Sequence, residues 1–166
     1  MIKAVLISIR PKWCEKIASG EKTIEVRKTR PKLETPFKCY IYETQGWVEK
    51  DGIMEFRLGG RVIGEFTCDR IYGLAPLNHA PDDVEQQACL TREEIVRYLK
   101  GVGYGWHISG LRIYHQPLEL TEFRRACPND LYCESCAMYS NNNGICNNGA
   151  LPLRHPPQSW CYVDEG

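Results

Sequence analysis

The sequence predicts an α+β fold, a small mixed or mostly antiparallel β-barrel with two main helices packed among its strands. Short runs of β-branched and aliphatic residues dominate the chain, and their spacing is too irregular for repeated βαβ units. Two segments instead place apolar residues at helical intervals. The 166 residues fit one domain that can bury a substantial core.

The first third predicts two strands on either side of a short helix. Lys3–Ile9 is aliphatic and β-branched, which is typical of a buried strand. Pro11 suits the first turn of a helix that runs to Ser19, and Gly20 suits its C-terminal cap. The strand Thr23–Lys28 then follows at once.

The middle of the chain predicts strands separated by polar turns. Phe37–Tyr42 alternates as a strand does, and the turn-rich Glu43–Gly60 predicts a hairpin or a mobile loop. Arg61–Cys68 is a strand that Arg70–Tyr72 extends past a bend. The acidic stretch Asn78–Ala88 predicts a loop.

The second helix has the clearest local signature. Thr91 begins a Thr-Arg-Glu-Glu capping box, in which a hydroxyl and a carboxylate satisfy free backbone N–H groups, and Gly101 ends the helix. Trp106–Tyr114 then alternates as a long strand. Pro117–Phe123 closes the regular part of the chain.

Charge and hydropathy exclude several classes of protein. Basic and acidic residues balance at 21 each, so nucleic-acid binding would need a local basic patch. No apolar run approaches the ~18 residues of a membrane span, and the N-terminal run is too short for a signal peptide. We therefore expect a cytoplasmic protein. Five basic residues of the N-terminal third form either a solvated face or a footprint for a polyanion: Arg10, Lys12, Lys28, Arg30 and Lys32.

Five of the nine cysteines crowd the last 40 residues. The gap of two residues between Cys133 and Cys136 is common in zinc knuckles. Residues 124–155 contain few large apolar groups, so a structural metal would supply stability that they lack. A reduced flexible loop, a reversible disulfide and an iron–sulfur cluster are the alternatives. The predicted ligands of a structural Zn²⁺ are Cys127, Cys133, Cys136 and Cys146.

A charged face on the second strand is the strongest candidate for a functional site. Side chains alternate along a strand, so Glu25 and Arg27 share one face, while Ile24 and Val26 take the other. Lys22 precedes this face. A carboxylate can accept from an exocyclic amine, a guanidinium can bind phosphate, and a desolvated lysine can act as a general base. The alternative is an ion pair on an exposed strand surface.

The segments that carry this face resemble the signature of ASCH domains, which are small PUA-like β-barrels. The resemblance lies in Leu6–Trp13, Ile17–Gly20 and Lys22–Lys28, and continues in Val62–Phe66, Trp106–Ser109 and Pro156–Val163. The ending is similar to that of phage- and prophage-encoded members. The resemblance implies an ASCH domain at 1–123 and 156–166, with a cysteine-rich insertion at 124–155.

The resemblance also implies a function. ASCH domains are generally regarded as RNA-associated, so RNA or a modified nucleotide is the expected partner. The expected ligand-binding residues are Lys22, Glu25, Arg27, Trp106, Ser8 and Lys12. For Trp106 the alternatives are a place in the core and stacking on a base.

An enzymatic alternative comes from a subset of the family that hydrolyses acylated cytidine nucleosides. Lys22 occupies the position of that subset's lysine and Glu25 that of its threonine, while the subset's distant glutamate would fall near Glu85–Gln87. If the protein is an amidohydrolase or a ribonuclease, Lys22 would be the base and Glu25 a proton shuttle. A second alternative is a phage accessory protein whose cysteine-rich lobe docks another protein.

Overall fold

The computed structural model describes residues 3–74, 77–126 and 152–165. Its helices are α1 (Pro11–Ala18), α2 (Val84–Ala88) and α3 (Arg92–Leu99), and short 3₁₀ turns cover Leu77–His79 and Leu120–Glu122. Its strands, in chain order, are β1 (Lys3–Ile9), β2 (Ile24–Arg27), β3 (Phe37–Glu43), β4 (Gly46–Lys50), β5 (Ile53–Arg57), β6 (Arg61–Gly73), β7 (Tyr104–Glu119) and β8 (Trp160–Asp164).

Six strands form one mixed sheet in the order β2-β7-β6-β3-β1-β8, and β4 pairs with β5 in a separate hairpin. β1 and β3 run parallel, whereas the other neighbours are antiparallel. Register shifts interrupt the pairing of β6 with β7, and such bulges bend strands. The sheet curls into a half-barrel, which confirms the α+β mixed-barrel prediction.

The interior of the half-barrel holds the largest apolar cluster, to which β1, β3, β6 and β7 contribute alternate residues, and α1 adds Cys14 and Ile17. A separate cluster covers the outer face of β2. There Ile24 and Val26 pack against α2 and α3, whose buried residues include Ala88 and Ile95. The polar face of β2 is therefore turned away from α2 and α3, as the alternation predicted.

The segment predicted as the loop Asn78–Ala88 is the main departure from the sequence analysis. It contains α2, whose Val84 and Ala88 are fully buried. The N-cap residue Asp83 makes no side-chain capping bond, and five residues are too few to be stable as an isolated helix. Burial against β2 stabilises it instead, which is a tertiary effect.

The hairpin alternative for Glu43–Gly60 is confirmed. Asp51 and Gly52 both have positive φ, at 53° and 77°, which suits the Asp-Gly turn of a two-residue hairpin. Val48 is buried, and Arg57 forms ion pairs with Glu15 and Glu43. These contacts hold the hairpin against α1.

Candidate ligand-binding cleft

A cleft of about 970 Å³ opens beside the polar face of β2. Its walls come from the end of β1, the start of α1, the hairpin, α3 and the segment before β8. The lining residues that bear on its chemistry are Ser8, Arg10, Lys12, Trp13, Lys22, Glu25, Arg27, Trp47, Glu94 and Tyr98. Five of the six expected ligand-binding residues therefore lie on one cleft.

Lys22 lies at the buried end of this cleft, with only 2% of its surface exposed. Its Nζ donates to the backbone oxygen of Ala88 at 2.6 Å and lies 4.8 Å from the centre of the Trp13 ring. The same Nζ is 3.7 Å from Glu25 Oε2, which is an ion-pair distance but too long for a hydrogen bond. Burial lowers the pKa of Lys22, and the neighbouring Glu25 carboxylate offsets part of that effect.

Glu25 is also buried, at 5% exposure, and its two oxygens have different surroundings. Oε1 accepts a hydrogen bond from Arg27 Nε at 3.1 Å and lies 3.1 Å from Arg27 Nη2. Oε2 is buried and accepts no hydrogen bond from any residue that the structure describes. A buried carboxylate oxygen normally has a donor, so this atom is chemically incomplete.

Arg27 directs its guanidinium into the protein. Nη2 donates to Ser8 O at 2.6 Å, and Nη1 donates to Ser159 Oγ at 3.1 Å and Ser159 O at 3.4 Å. With the bond from Nε to Glu25 Oε1, the guanidinium donates four hydrogen bonds to protein acceptors, and Nη2 also lies within ion-pair distance of Oε1. The guanidinium therefore has no free fork for phosphate and instead positions the Glu25 carboxylate.

The same contacts close the half-barrel. β2 and β8 are the two edge strands of the sheet. Arg27 in β2 reaches Ser159 directly before β8, and Trp160 Nε1 donates to Thr29 Oγ1 at 3.0 Å. Side-chain hydrogen bonds thus join two edges that share no backbone ladder.

Trp106 lies in the core rather than on the cleft. It pairs with Glu25 in the β2–β7 ladder but is fully buried and is absent from the described cleft wall. Phe37 and Trp160 pack edge-on against its ring, each at 6.0 Å between centroids. A base has no access to this ring, so the expected stacking role does not fit the structure.

Two aromatic residues that sequence reasoning did not place in the site stand at the cleft. Trp47 on β4 is 60% exposed and Tyr98 on α3 is 45% exposed. Arg10 and Lys12 add exposed positive charge to the same rim. The signal available in the sequence was weak, because Trp47 is one of two large aromatic residues, with Phe56, in a polar, turn-rich segment.

The carboxylate expected near Glu85–Gln87 does not reach the cleft. Glu85 Oε1 accepts from the backbone N–H of Arg92 at 2.6 Å, at the start of α3. Glu94 is the second carboxylate on the described cleft wall, and its Oε2 accepts from Thr91 N at 2.9 Å within the capping box.

The four predicted zinc ligands, Cys127, Cys133, Cys136 and Cys146, lie outside the described residues, so the zinc site stays a prediction. Over residues 3–74, 77–126 and 152–165, no three His, Cys, Asp or Glu side chains are grouped to hold a metal. The described ends of the proposed insertion contact the barrel, since Arg125 bridges to Val163.

Comparisons with known proteins identify the fold. No family model and no curated protein matches the chain. Several solved structures do match. Among them are the ASCH protein of Zymomonas mobilis at 19% identity and TM-score 0.56, its Ser-to-Ala variant at 17% and 0.62, and its Tyr-to-Phe variant at 16% and 0.60. Each match covers 98% of this chain and 88–91% of the other.

The chain thus has an α+β fold that resembles the fold of the ASCH proteins. The predicted phage origin is a separate matter and stays a prediction. In the described part of the chain, no helix is long and apolar enough to cross a membrane.

Proposed function

We propose that the cleft binds RNA or a modified nucleotide. The observation that supports this function best is the buried cluster of Lys22, Glu25 and Arg27 at the floor of an open cleft. Burying charged groups is costly unless their partners are complete. This cluster lies at the floor of an open cleft and leaves one acceptor, Glu25 Oε2, without a described donor. Such an arrangement suits the binding of a ligand better than the stabilisation of the fold.

The cleft also has the size and rim that a nucleotide needs. Its volume of about 970 Å³ lies within the usual range for small-molecule sites. Arg10 and Lys12 supply charge for phosphate, while Trp47 and Tyr98 supply exposed rings for stacking. We infer that the base enters toward Glu25 and the phosphate stays at the rim.

Binding of labelled RNA oligonucleotides and nucleotides at low salt, followed by fluorescence anisotropy, tests the proposal. Lys12→Gln should weaken binding and reduce the slope of log K against log salt by about one if Lys12 contacts a phosphate. Arg112→Gln is the matched control, because the Arg112 side chain is exposed and is absent from the described wall of the cleft. Absence of wild-type binding to any RNA or nucleotide would contradict the proposal, as would equal losses in both variants.

An amidohydrolase acting on acylated cytidine, or a ribonuclease, is the second candidate. The observation that favours it is the burial of Lys22 at the floor of the cleft, which lowers the pKa of its ammonium group, as general-base catalysis by a lysine requires. Glu25 would hold or shuttle the proton, because its Oε2 lies 3.7 Å from Lys22 Nζ. The absence of a hydroxyl at position 25 makes water, rather than a side chain, the nucleophile in this scheme.

Turnover of N4-acetylcytidine and cleavage of labelled RNA test the second candidate. Lys22→Met should abolish turnover while leaving binding of an uncleaved analogue measurable, whereas Lys12→Gln should raise KM with little change in kcat. Activity that survives in Lys22→Met would exclude Lys22 as the base. Binding without turnover of either substrate would leave recognition as the function.

A further inference from the structure

We propose that Glu25 determines base specificity: its Oε2 accepts a hydrogen bond from the exocyclic amino group of a nucleobase, so the cleft selects amino-bearing bases over uracil. This inference rests on the proposed nucleotide-binding function. It adds the chemical feature of the ligand that the site recognises and the atom that recognises it.

The geometry of the carboxylate supports a ligand donor at this atom. Arg27 holds Oε1 and so fixes the orientation of the group. Oε2 is left without a hydrogen-bond donor among residues 3–74, 77–126 and 152–165, although its residue lines the cleft. Lys22 does not fill this position, because its Nζ is 3.7 Å from Oε2, which is beyond hydrogen-bond distance. One N–H of the same ammonium group is bonded to Ala88 O at 2.6 Å.

The charge of the cluster indicates a neutral donor. Lys22 and Arg27 carry two positive charges when both are protonated, against one negative charge on Glu25, so the cluster does not attract a cation. A carbonyl or phosphate oxygen placed against Oε2 would be repelled, since both are acceptors. The partner of Oε2 is therefore expected to be an uncharged N–H donor. The amino groups of cytosine, adenine and guanine are donors of this kind.

Uracil complements the Glu25 acceptor less well than cytosine does. It presents a carbonyl oxygen where cytosine has its amino group, and its ring N–H lies between two carbonyl oxygens that repel an approaching carboxylate. The remainder of the nucleotide is the same in both. Cytidine and uridine monophosphates therefore form a matched pair that isolates the contact with Glu25.

Titration of the protein with CMP, UMP and the N4,N4-dimethyl derivative of CMP tests the inference. The dimethyl compound keeps the cytosine ring but has no amino donor. CMP should bind about tenfold more tightly than UMP, which is the usual value of one satisfied buried hydrogen bond, and the dimethyl compound should bind as weakly as UMP. Equal binding of CMP and UMP by the wild type would overturn the inference.

Glu25→Gln is the informative variant, because it keeps the shape of the side chain and its amide can turn to donate or accept. The preference for CMP over UMP should fall to about threefold or less. Lys12→Gln should weaken both nucleotides and leave their ratio unchanged. A preference that persists in Glu25→Gln would overturn the role of Glu25. If Glu25→Gln does not fold, the affinities of the wild-type protein for CMP, UMP and the dimethyl compound still test whether the amino group is recognised.

One competing donor lies within the protein. Trp106 Nε1 is the other buried polar atom without a hydrogen-bond partner in the described part of the chain, and Trp106 pairs with Glu25 across the ladder. If the two atoms satisfy each other, CMP and UMP will bind alike and the specificity inference fails, while nucleotide binding itself stands. If none of the nucleotides binds, the proposed function fails with it.

Discussion

Replacing Arg27 by methionine should destabilise the barrel strongly. The substitution keeps much of the apolar stem but removes the guanidinium, which serves the Glu25 carboxylate, Ser8 O and both oxygens of Ser159. Glu25 would keep only Lys22, at 3.7 Å, as a counter-charge. Breaking a buried ion pair by removing one partner costs about 3–5 kcal/mol, a large part of the usual 5–15 kcal/mol for a domain.

Denaturant unfolding followed by tryptophan fluorescence and far-UV circular dichroism measures this loss. A loss of about 4 kcal/mol corresponds to roughly 10 °C in Tm for a chain of this size. Arg112→Met is the matched control, because the Arg112 side chain is 74% exposed and lies 3.9 Å from Glu65. It should cost less than about 1 kcal/mol.

A third variant separates charge from geometry. Arg27→Lys restores a positive charge but not the planar fork of donors, so its stability should lie between those of Arg27→Met and the wild type. If Arg27→Met loses less than about 1 kcal/mol, or no more than Arg112→Met does, then Arg27 does not close the barrel and the reasoning fails.

Three further predictions concern separate parts of the chain. Burial lowers the pKa of Lys22 from 10.5, so between the lowered pKa and 10.5 the unfolded state binds more protons and stability rises with pH. The free energy of unfolding of the wild type relative to that of Lys22→Met should therefore rise as unfolding is measured from pH 7 toward pH 10, and a constant difference would contradict this. Thr91→Ala removes a bond of 3.1 Å from Glu94 N and should cost about 1 kcal/mol by denaturant unfolding, whereas Thr91→Ser should not. Purified protein in reducing buffer should contain zinc by elemental analysis and lose it in Cys133→Ser; metal-free wild type would exclude the site.

Elements with a local signature were predicted well from the sequence. The capping box at Thr91 forms both of its bonds, and Gly20, with φ of 84°, follows α1 as expected. The Asp-Gly turn of the hairpin is likewise local. The helix α2 was missed because it has only five residues, too few for helix formers such as Ala88 to predict a helix by themselves. Its stability comes from burial of Val84 and Ala88 against β2.

The sequence predicted which strand face carries the candidate site, but it did not predict what each side chain on that face does. Alternation along a strand suffices to place Glu25 and Arg27 together, and the structure places both on the cleft. The partners of Arg27 lie far along the chain, at Ser8 and Ser159, so its structural role could not be predicted locally. Trp47 reaches the cleft only because the hairpin folds onto α1.

The two oxygens of Glu25 separate the stability of this site from its recognition. Oε1 belongs to the set of bonds by which Arg27 joins the edges of the half-barrel. Oε2 takes no part in that set, and leaving it unpaired weakens the fold unless a ligand compensates. A substitution that removes the whole Glu25 carboxylate would therefore change the stability of the barrel and the recognition of the ligand together, and the two effects could not be separated. Changing the ligand instead of the protein leaves the barrel intact, so a difference in affinity between CMP and UMP can be assigned to recognition by the cleft.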